Sequence, residues 1–303
     1  MLQNETTTTL LNTQFIDDLL AKNGPDPEDY ETLKNWYRKA YQLLQTNQIS
    51  KEEYLELKNL FGEVYASPKS LLGHVSNQPH GYAGDFEIIE MVYVNQISPN
   101  FLFQKWDSFY QGFAACHAVR NRKTYFKNLL KEKVKSGKPL QILNLASGPC
   151  RDLLEFFEEN PSTFLQIDCI ELDRNAIDYA TQLLGESKDK VHFIEQNIFK
   201  FQTDKKYDLV WSAGLFDYFD HKVFTRLLTR FLSNVKKGGE LVIGNFHPRN
   251  PTFEIMEFTN WHLHHRTETN LVNLANQAGI TDYSKISIEM EPEGVNLFLR
   301  IRK

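Results

Sequence analysis

The region of this sequence that most directly indicates chemistry is a turn of small residues between a predicted strand and a predicted helix. The apolar run 140–145 leads into Ala146, Ser147 and Gly148, and an amphipathic stretch follows at once. Side chains this small leave the backbone amides of the turn accessible to a ligand. Further along, a second apolar run ends in Glu171, whose carboxylate can accept hydrogen bonds from the hydroxyls of a ribose. Together the two segments predict a nucleoside-binding α/β domain.

The turn lacks the glycines that cradle a diphosphate. A dinucleotide-binding G-x-G-x-x-G loop would place glycines where this chain has Ala146, Gly148 and Arg151, so only one position matches. The phosphate-binding sequence G-x-x-x-x-G-K-[ST] is absent from the chain. A nucleoside cofactor without phosphates therefore suits this loop, and an ordinary buried turn is the alternative interpretation.

The order of predicted elements defines two regions of the chain. Residues 1–112 show helical periodicity and then alternating loops and short helices, which predicts a helical cap domain. Residues 113–303 alternate strands with helices, which predicts an α/β domain with a doubly wound, mostly parallel sheet. The last two predicted strands are separated by Pro292–Gly294, which indicates a terminal antiparallel hairpin.

The region from about residue 115 to residue 303 resembles the class I S-adenosylmethionine (SAM) methyltransferases. The segment Asn144–Cys150 is similar to their motif I, D/E-x-G-x-G-x-G, and departs from it at Asn144, Ala146 and Cys150. A reversed last strand is also a feature of this superfamily. The resemblance implies a Rossmann-like methyltransferase sheet and SAM as the cofactor.

The resemblance also assigns residues at the carboxyl ends of the strands to the cofactor. Glu171 matches the acid that binds the ribose hydroxyls, and Asn197 stands where the superfamily usually has an acid that contacts the adenine amino group. The segment after the fourth predicted strand matches the region beside the methionine moiety. A polar turn at the sheet edge is the alternative interpretation of each position. The residues expected to contact SAM on these grounds are Ala146, Ser147, Gly148, Glu171, Leu172, Asn197, Ile198, Ser212, Ala213 and Gly214.

A narrower resemblance involves the N-terminal region. The segment Pro79–Tyr93 has a glycine turn that leads into an amphipathic helix, with Asp85 near the helix start. Together with segments 245–248 and 261–267, it is similar to bacterial methyltransferases that form methyl esters of 3-hydroxy fatty acids. The alternative is that Asp85 only caps the helix. The residues that this resemblance expects to close over SAM are Tyr82, Gly84 and Asp85.

The candidate catalytic residues are His247, His264 and Arg266. A phenol, alcohol or amine acceptor must lose a proton, which either histidine can accept. A carboxylate acceptor is already ionised at pH 7 and needs only orientation in a dry pocket. A guanidinium fork suits a carboxylate, so Arg266 is a candidate for the acceptor and Arg120 for the carboxylate of SAM.

Composition and charge narrow the choice of partners. The net charge of −5 argues against a nucleic-acid partner, and three cysteines are too few for a disulfide framework. No apolar run has transmembrane length, so neither membrane insertion nor a secretory location is expected, and the cytoplasm is the predicted location. No metal is expected, since His262, His264 and His265 cannot all face one point on a helix. A homodimer is compatible with the sequence.

These observations predict a SAM-dependent enzyme that methylates a small molecule, at a carboxylate or hydroxyl oxygen of an apolar acceptor. The alternatives are a protein or tRNA methyltransferase and a SAM-binding protein without turnover. In each enzymatic case the protein mainly aligns the acceptor with an already activated methyl group and excludes water.

Overall fold

A computed structural model describes residues 11–303, which divide into two compact units. Within the described residues, the first unit holds 11–117 and 251–262, and the second holds 118–250 and 263–303. The chain therefore leaves the first unit after His117 rather than after residue 112. The segment 251–262 packs with the N-terminal helices although the sequence places it in the C-terminal region.

Helices make up the first unit and flank the sheet of the second. In chain order they are α1 (Thr13–Ala21), α2 (Tyr30–Gln45), α3 (Lys51–Glu56), α4 (Glu63–Ala66), α5 (Leu71–Asn77), α6 (Phe86–Tyr93), α7 (Phe101–Gln111), α8 (Ala114–Val134), α9 (Arg151–Glu159), α10 (Arg174–Leu184), α11 (His221–Ser233), α12 (Phe253–Phe258) and α13 (Glu268–Gln277). None of these helices in residues 11–303 combines the length and the apolar character that a bilayer crossing requires.

The core of the first unit is a cluster of aromatic rings. The ring of Tyr37 on α2 stacks on Phe61, with centroids 5.7 Å apart, and meets the edge of Phe258 on α12 at 5.0 Å. Trp36 contacts both Phe61 and Phe258 edge to face. Phe258 is completely buried, so α12 belongs to this core even though it is far from the other helices in the chain.

The second unit is built on a seven-stranded sheet in the order β3-β2-β1-β4-β5-β7-β6. Strands β1 to β5 run parallel, and β7 pairs antiparallel with β5 and with β6. This confirms the predicted doubly wound sheet and its terminal antiparallel hairpin. The strands are β1 (Leu140–Leu145), β2 (Leu165–Glu171), β3 (Val191–Glu195), β4 (Tyr207–Ser212), β5 (Val235–Phe246), β6 (Ile286–Met290) and β7 (Asn296–Arg302).

Alternating side chains of each strand bury opposite faces of the sheet. On β1, Leu143 and Leu145 belong to the core that includes Phe224 of α11, whereas Ile142 belongs to the core that includes Phe126 of α8. Helices therefore cover both faces, as a parallel sheet requires. The sheet grows in one direction from β1 to β3 and in the other from β4 to β5, so the carboxyl ends of β1 and β4 flank the point where ligands bind in such sheets.

Candidate functional site

The turn after β1 has the backbone shape of a glycine-rich loop at all three motif positions. Ala146, Gly148 and Cys150 have φ angles of 53°, 57° and 57°, in the left-handed region that favours glycine. A Cβ built on Gly148 would meet no atom within 4 Å, so the turn faces open space there. Two non-glycine residues thus adopt the conformation that the motif's glycines normally supply, at a cost of about 1–2 kcal/mol each.

Glu171 ties the end of β2 to this turn. One carboxylate oxygen accepts a hydrogen bond from the backbone N–H of Gly148 at 3.0 Å, and the other accepts from Leu172 at 2.8 Å and Asp173 at 3.1 Å. The side chain is 8% exposed, and burial raises its pKa although the three amides favour the ionised form. An ionised carboxylate has about four acceptor positions, so capacity remains for a ligand hydroxyl.

Two buried serine hydroxyls lie at the point where the sheet changes direction. Ser147 follows β1 and Ser212 ends β4, and these strands pair directly, with Asn144 opposite Trp211. Neither Oγ has a hydrogen-bond partner among residues 11–303, and Ser212 is completely buried. A buried polar group without a partner costs about 1–3 kcal/mol. The orphaned hydroxyls therefore fit a polar ligand such as the amino-acid end of SAM.

Exposed apolar side chains lie beyond the next two strand ends. Leu172, after β2, is 61% exposed, and Phe199, shortly after β3, is 41% exposed. Between them, Asn197 and Ile198 are half-buried, and the Asn197 Oδ1 accepts a hydrogen bond from the Phe199 backbone N–H at 2.8 Å. This edge therefore offers apolar contacts and an amide group near Glu171, as a purine would require.

Asp217, which sequence reasoning did not select, lies at the centre of the polar interior beyond β4 and β5. Its Oδ1 accepts a hydrogen bond from the Phe246 backbone N–H at 2.7 Å, and its carbonyl oxygen accepts one from His264 at 2.7 Å. Burial raises the pKa of this carboxyl to about 7, although the charges of Arg122 and Arg266 act in the opposite direction. Its partners are distant in the sequence, so no local pattern marks it.

The three candidate catalytic residues have different surroundings. The ring of His247 is buried, with Nδ1 accepting a hydrogen bond from the Arg249 backbone N–H at 3.0 Å and Nε2 lying 3.2 Å from the Glu268 carboxylate. Arg266 is completely buried, and its guanidinium donates to backbone carbonyls and to Asn245 Oδ1. His264 is exposed over much of its surface, and partial desolvation of its ring together with the charge of Arg266 lowers its pKa. Of the two candidate histidines, His264 is therefore the one whose imidazole is accessible to solvent.

The N-terminal candidates belong to the first unit, apart from Arg120. The buried Asp85 caps α6 by accepting hydrogen bonds from the backbone N–H groups of Glu87 and Ile88, and it pairs with His74 Nε2 at 3.0 Å. This is the helix cap of the alternative interpretation. Tyr82 is 38% exposed, and Gly84 has a φ of 68° in the preceding turn. The half-buried Arg120 lies on α8, in the second unit. Across residues 11–303, no three histidine, cysteine or acidic side chains converge as a metal site would require.

The raised pKa of Asp217 predicts a pH-dependent stability. Because the carboxyl titrates near pH 7 in the folded chain and near its ordinary value when unfolded, ionisation destabilises the fold as the pH rises from about 4 to 7. We expect the free energy of unfolding of Asp217→Asn to be close to that of the wild type at pH 4 and to exceed it by about 4 kcal/mol at pH 8. Urea denaturation of both proteins across this range measures the difference. A difference that stays constant with pH contradicts the prediction.

Comparison with known proteins agrees with this architecture. Residues 142–239 match the family model described as a methyltransferase domain. No curated protein sequence matches the chain.

Several solved structures are similar in fold. A possible exported protein from Bordetella parapertussis has a TM-score of 0.62 and 21% identity over 77% of this chain and 86% of its own. A candidate O-methyltransferase from Nostoc punctiforme has a TM-score of 0.51 and 15% identity over 80% and 71%, respectively. The CMeT domain of the citrinin polyketide synthase has a TM-score of 0.51 and 13% identity over 87% and 68%. The sheet order and the backbone shape of the turn after β1 agree with the match of residues 142–239 to the methyltransferase domain model.

Proposed function

We propose that this protein transfers the methyl group of SAM to an oxygen atom of a small, apolar acceptor. The observation that carries the proposal is the exposed His264, which lies on a segment fixed to the Asp217 carbonyl and whose lowered pKa keeps it neutral at pH 7. A neutral imidazole is able to accept the proton of a hydroxyl group. The similarity in fold to a candidate O-methyltransferase supports the same type of acceptor.

The second unit supplies residues of suitable chemistry for each part of the cofactor. We expect Glu171 to accept hydrogen bonds from the ribose hydroxyls, and Leu172 and Ile198 to contact the adenine. Asn197 offers an amide to the adenine edge. Ser147, Gly148, Ser212, Ala213 and Gly214 lie at the ends of β1 and β4, where the methionine part is expected. When bound, SAM supplies a methyl group already activated by its sulfonium, so the chain's own residues need only orient the acceptor and manage its proton.

The role of His264 depends on the acceptor oxygen. A hydroxyl must be deprotonated as it reacts, which makes His264 the general base. A carboxylate is ionised at pH 7 and needs no base. His247 is the weaker candidate, because both of its ring nitrogens already have partners.

A 3-hydroxy fatty acid carries both kinds of oxygen on one apolar chain, so we propose this class as the first acceptor to test. His264 favours the hydroxyl as the acceptor, whereas the narrower resemblance of Pro79–Tyr93 favours the carboxylate and hence a methyl ester. A cytoplasmic location and a homodimeric state stay predictions of the sequence.

The test is methyl transfer from labelled SAM to 3-hydroxy fatty acids and to their methyl esters, in which the carboxylate is blocked. If the hydroxyl is the acceptor, the methyl esters remain substrates, and His264→Gln lowers kcat by about 100-fold or more. If the carboxylate is the acceptor, the methyl esters are inert, the product is cleaved by alkali, and His264→Gln changes kcat less than about threefold.

His262→Gln is the matched control, because His262 is also an exposed histidine but pairs with Glu257 within the first unit. It should leave kcat unchanged with either acceptor oxygen. Transfer of the label to nitrogen, to protein or to tRNA, or the absence of any transfer from bound SAM, contradicts the proposal.

A further inference from the structure

A buried guanidinium lies at the switch point of the sheet, and no carboxylate of residues 11–303 forms an ion pair with it. Arg122, on α8, is 6% exposed, and its Nε is buried with no hydrogen bond to any residue that the structure describes. Its Nη1 makes one long hydrogen bond, 3.4 Å, to the carbonyl oxygen of Ala213, just after β4. Since burying a charge without a hydrogen-bonded partner is costly, this arrangement points to a missing anionic partner.

Gly214 provides the space in which Arg122 lies. A Cβ built on Gly214 would come within 2.6 Å of Arg122 Nη1 and would lie 3.6 Å from Asp217 Oδ2. Any larger residue would therefore displace the guanidinium. The absence of a side chain leaves a cation and a carboxylate close together over the same residue.

Asp217 has one oxygen free of hydrogen bonds within the described part of the chain. Its Oδ1 accepts from the Phe246 backbone N–H, and no donor in residues 11–303 bonds its Oδ2. The neighbouring cation Arg266 donates instead to Phe216 O, to Phe219 O and to Asn245 Oδ1. The Oδ2 atom is thus available to a cationic donor that approaches over Gly214.

We propose that Arg122 and Asp217 together read the α-amino-acid end of the cofactor, with the guanidinium binding its carboxylate and the Asp217 carboxylate binding its ammonium. This rests on the proposed function, in that SAM binds in the second unit. The pairing matches opposite charges in both places, and a guanidinium fork is the side chain best suited to a carboxylate. Arg120, which the sequence indicated for this role, lies two positions away and so points in a different direction from α8.

The structural alternative is that Arg122 only balances buried acids. Asp152, in the first turn of α9, is also buried, and the charge of Arg122 opposes the rise of its pKa to about 6. In that case the guanidinium would stabilise the fold and affect all ligands of the site equally. Ligands that differ only at the amino-acid end separate the two roles.

The experiment measures dissociation constants by calorimetry for three nucleosides. They are S-adenosylhomocysteine, its analogue without the carboxylate, and 5′-methylthioadenosine, which lacks the entire amino-acid end. We expect Arg122→Gln to weaken S-adenosylhomocysteine at least tenfold and to leave the other two ligands unchanged. Asp217→Asn, which keeps an acceptor for Phe246, should weaken both ligands that carry the ammonium and leave 5′-methylthioadenosine unchanged.

The unchanged affinity for 5′-methylthioadenosine also shows that each variant is folded. Lys123→Gln is the control, because Lys123 is the next residue on α8 and its ammonium pairs with Glu155; it should alter none of the three constants. An equal loss for all ligands, or no loss for any, assigns Arg122 to the fold and overturns the inference. If the wild type binds none of the three nucleosides, the proposed function itself fails.

Discussion

Replacing Glu171 with glutamine is expected to weaken the binding of S-adenosylhomocysteine by about 10- to 100-fold, or about 1–3 kcal/mol. The wild-type carboxylate accepts hydrogen bonds from three backbone N–H groups, including that of Gly148, and keeps capacity for a ribose hydroxyl. The glutamine amide presents an NH₂ group in place of one oxygen, so it faces either a backbone donor or the ligand with a donor of its own. Both the turn and the ribose contact are then disturbed. Calorimetric titration measures the change.

Asp173→Asn is the matched control, because Asp173 caps α10 through the Asn175 backbone N–H and lies two residues from Glu171. It should retain the wild-type dissociation constant. If Glu171→Gln binds as tightly as the wild type, the ribose contact lies elsewhere, and Asp173 is the first residue to examine.

Gly244→Ala is expected to reduce the free energy of unfolding by about 3 kcal/mol or more. A Cβ on Gly244, in β5, would lie 2.1 Å from the carbonyl oxygen of Ala213. That oxygen belongs to the backbone just after β4, a neighbouring strand of the sheet, so it can move only if the strand end moves. The urea concentration at the midpoint of denaturation should fall accordingly, and the backbone at Ala213 should move away from β5.

Gly238→Ala separates steric overlap from backbone strain. Gly238 lies on the same strand with a φ of 80°, and a Cβ there would meet nothing within 4 Å. Its substitution should cost only the strain of a positive φ, about 1 kcal/mol. If the two variants lose equal stability, the close approach to Ala213 does not constrain position 244.

The sequence predicts the sheet, and which strand ends lie together, well because both are encoded locally. Strands buried on both faces are continuous apolar runs, and parallel strands end at one edge, so the pattern of strands and helices is enough to bring Gly148 and Glu171 together. The predicted hairpin at Pro292–Gly294 also follows from local turn chemistry. These features need no knowledge of distant contacts.

The polar interior beyond β4 could not be predicted in the same way. Arg120 and Arg122 are both arginines on the same predicted helix, so the sequence does not distinguish their roles. Only the packing of α8 decides which guanidinium is buried beside Ala213. His247 and Arg266 were selected for their residue types, but their partners come from segments that are distant in sequence. The choice between a reacting group and an internal contact depends on those non-local partners.

The discontinuity of the first unit limits how this protein can be divided or recombined. Phe258 is completely buried among Trp36, Tyr37 and Phe61, yet it is encoded after β5 of the seven-stranded sheet. A gene fragment for residues 113–303 would therefore produce a protein with an orphaned apolar helix, which favours aggregation. One crossover in the gene cannot exchange either unit intact, because the first unit is encoded in two pieces. The two units must therefore be exchanged together. A chimaera that joins the sheet to another N-terminal region would also need a replacement for residues 251–262.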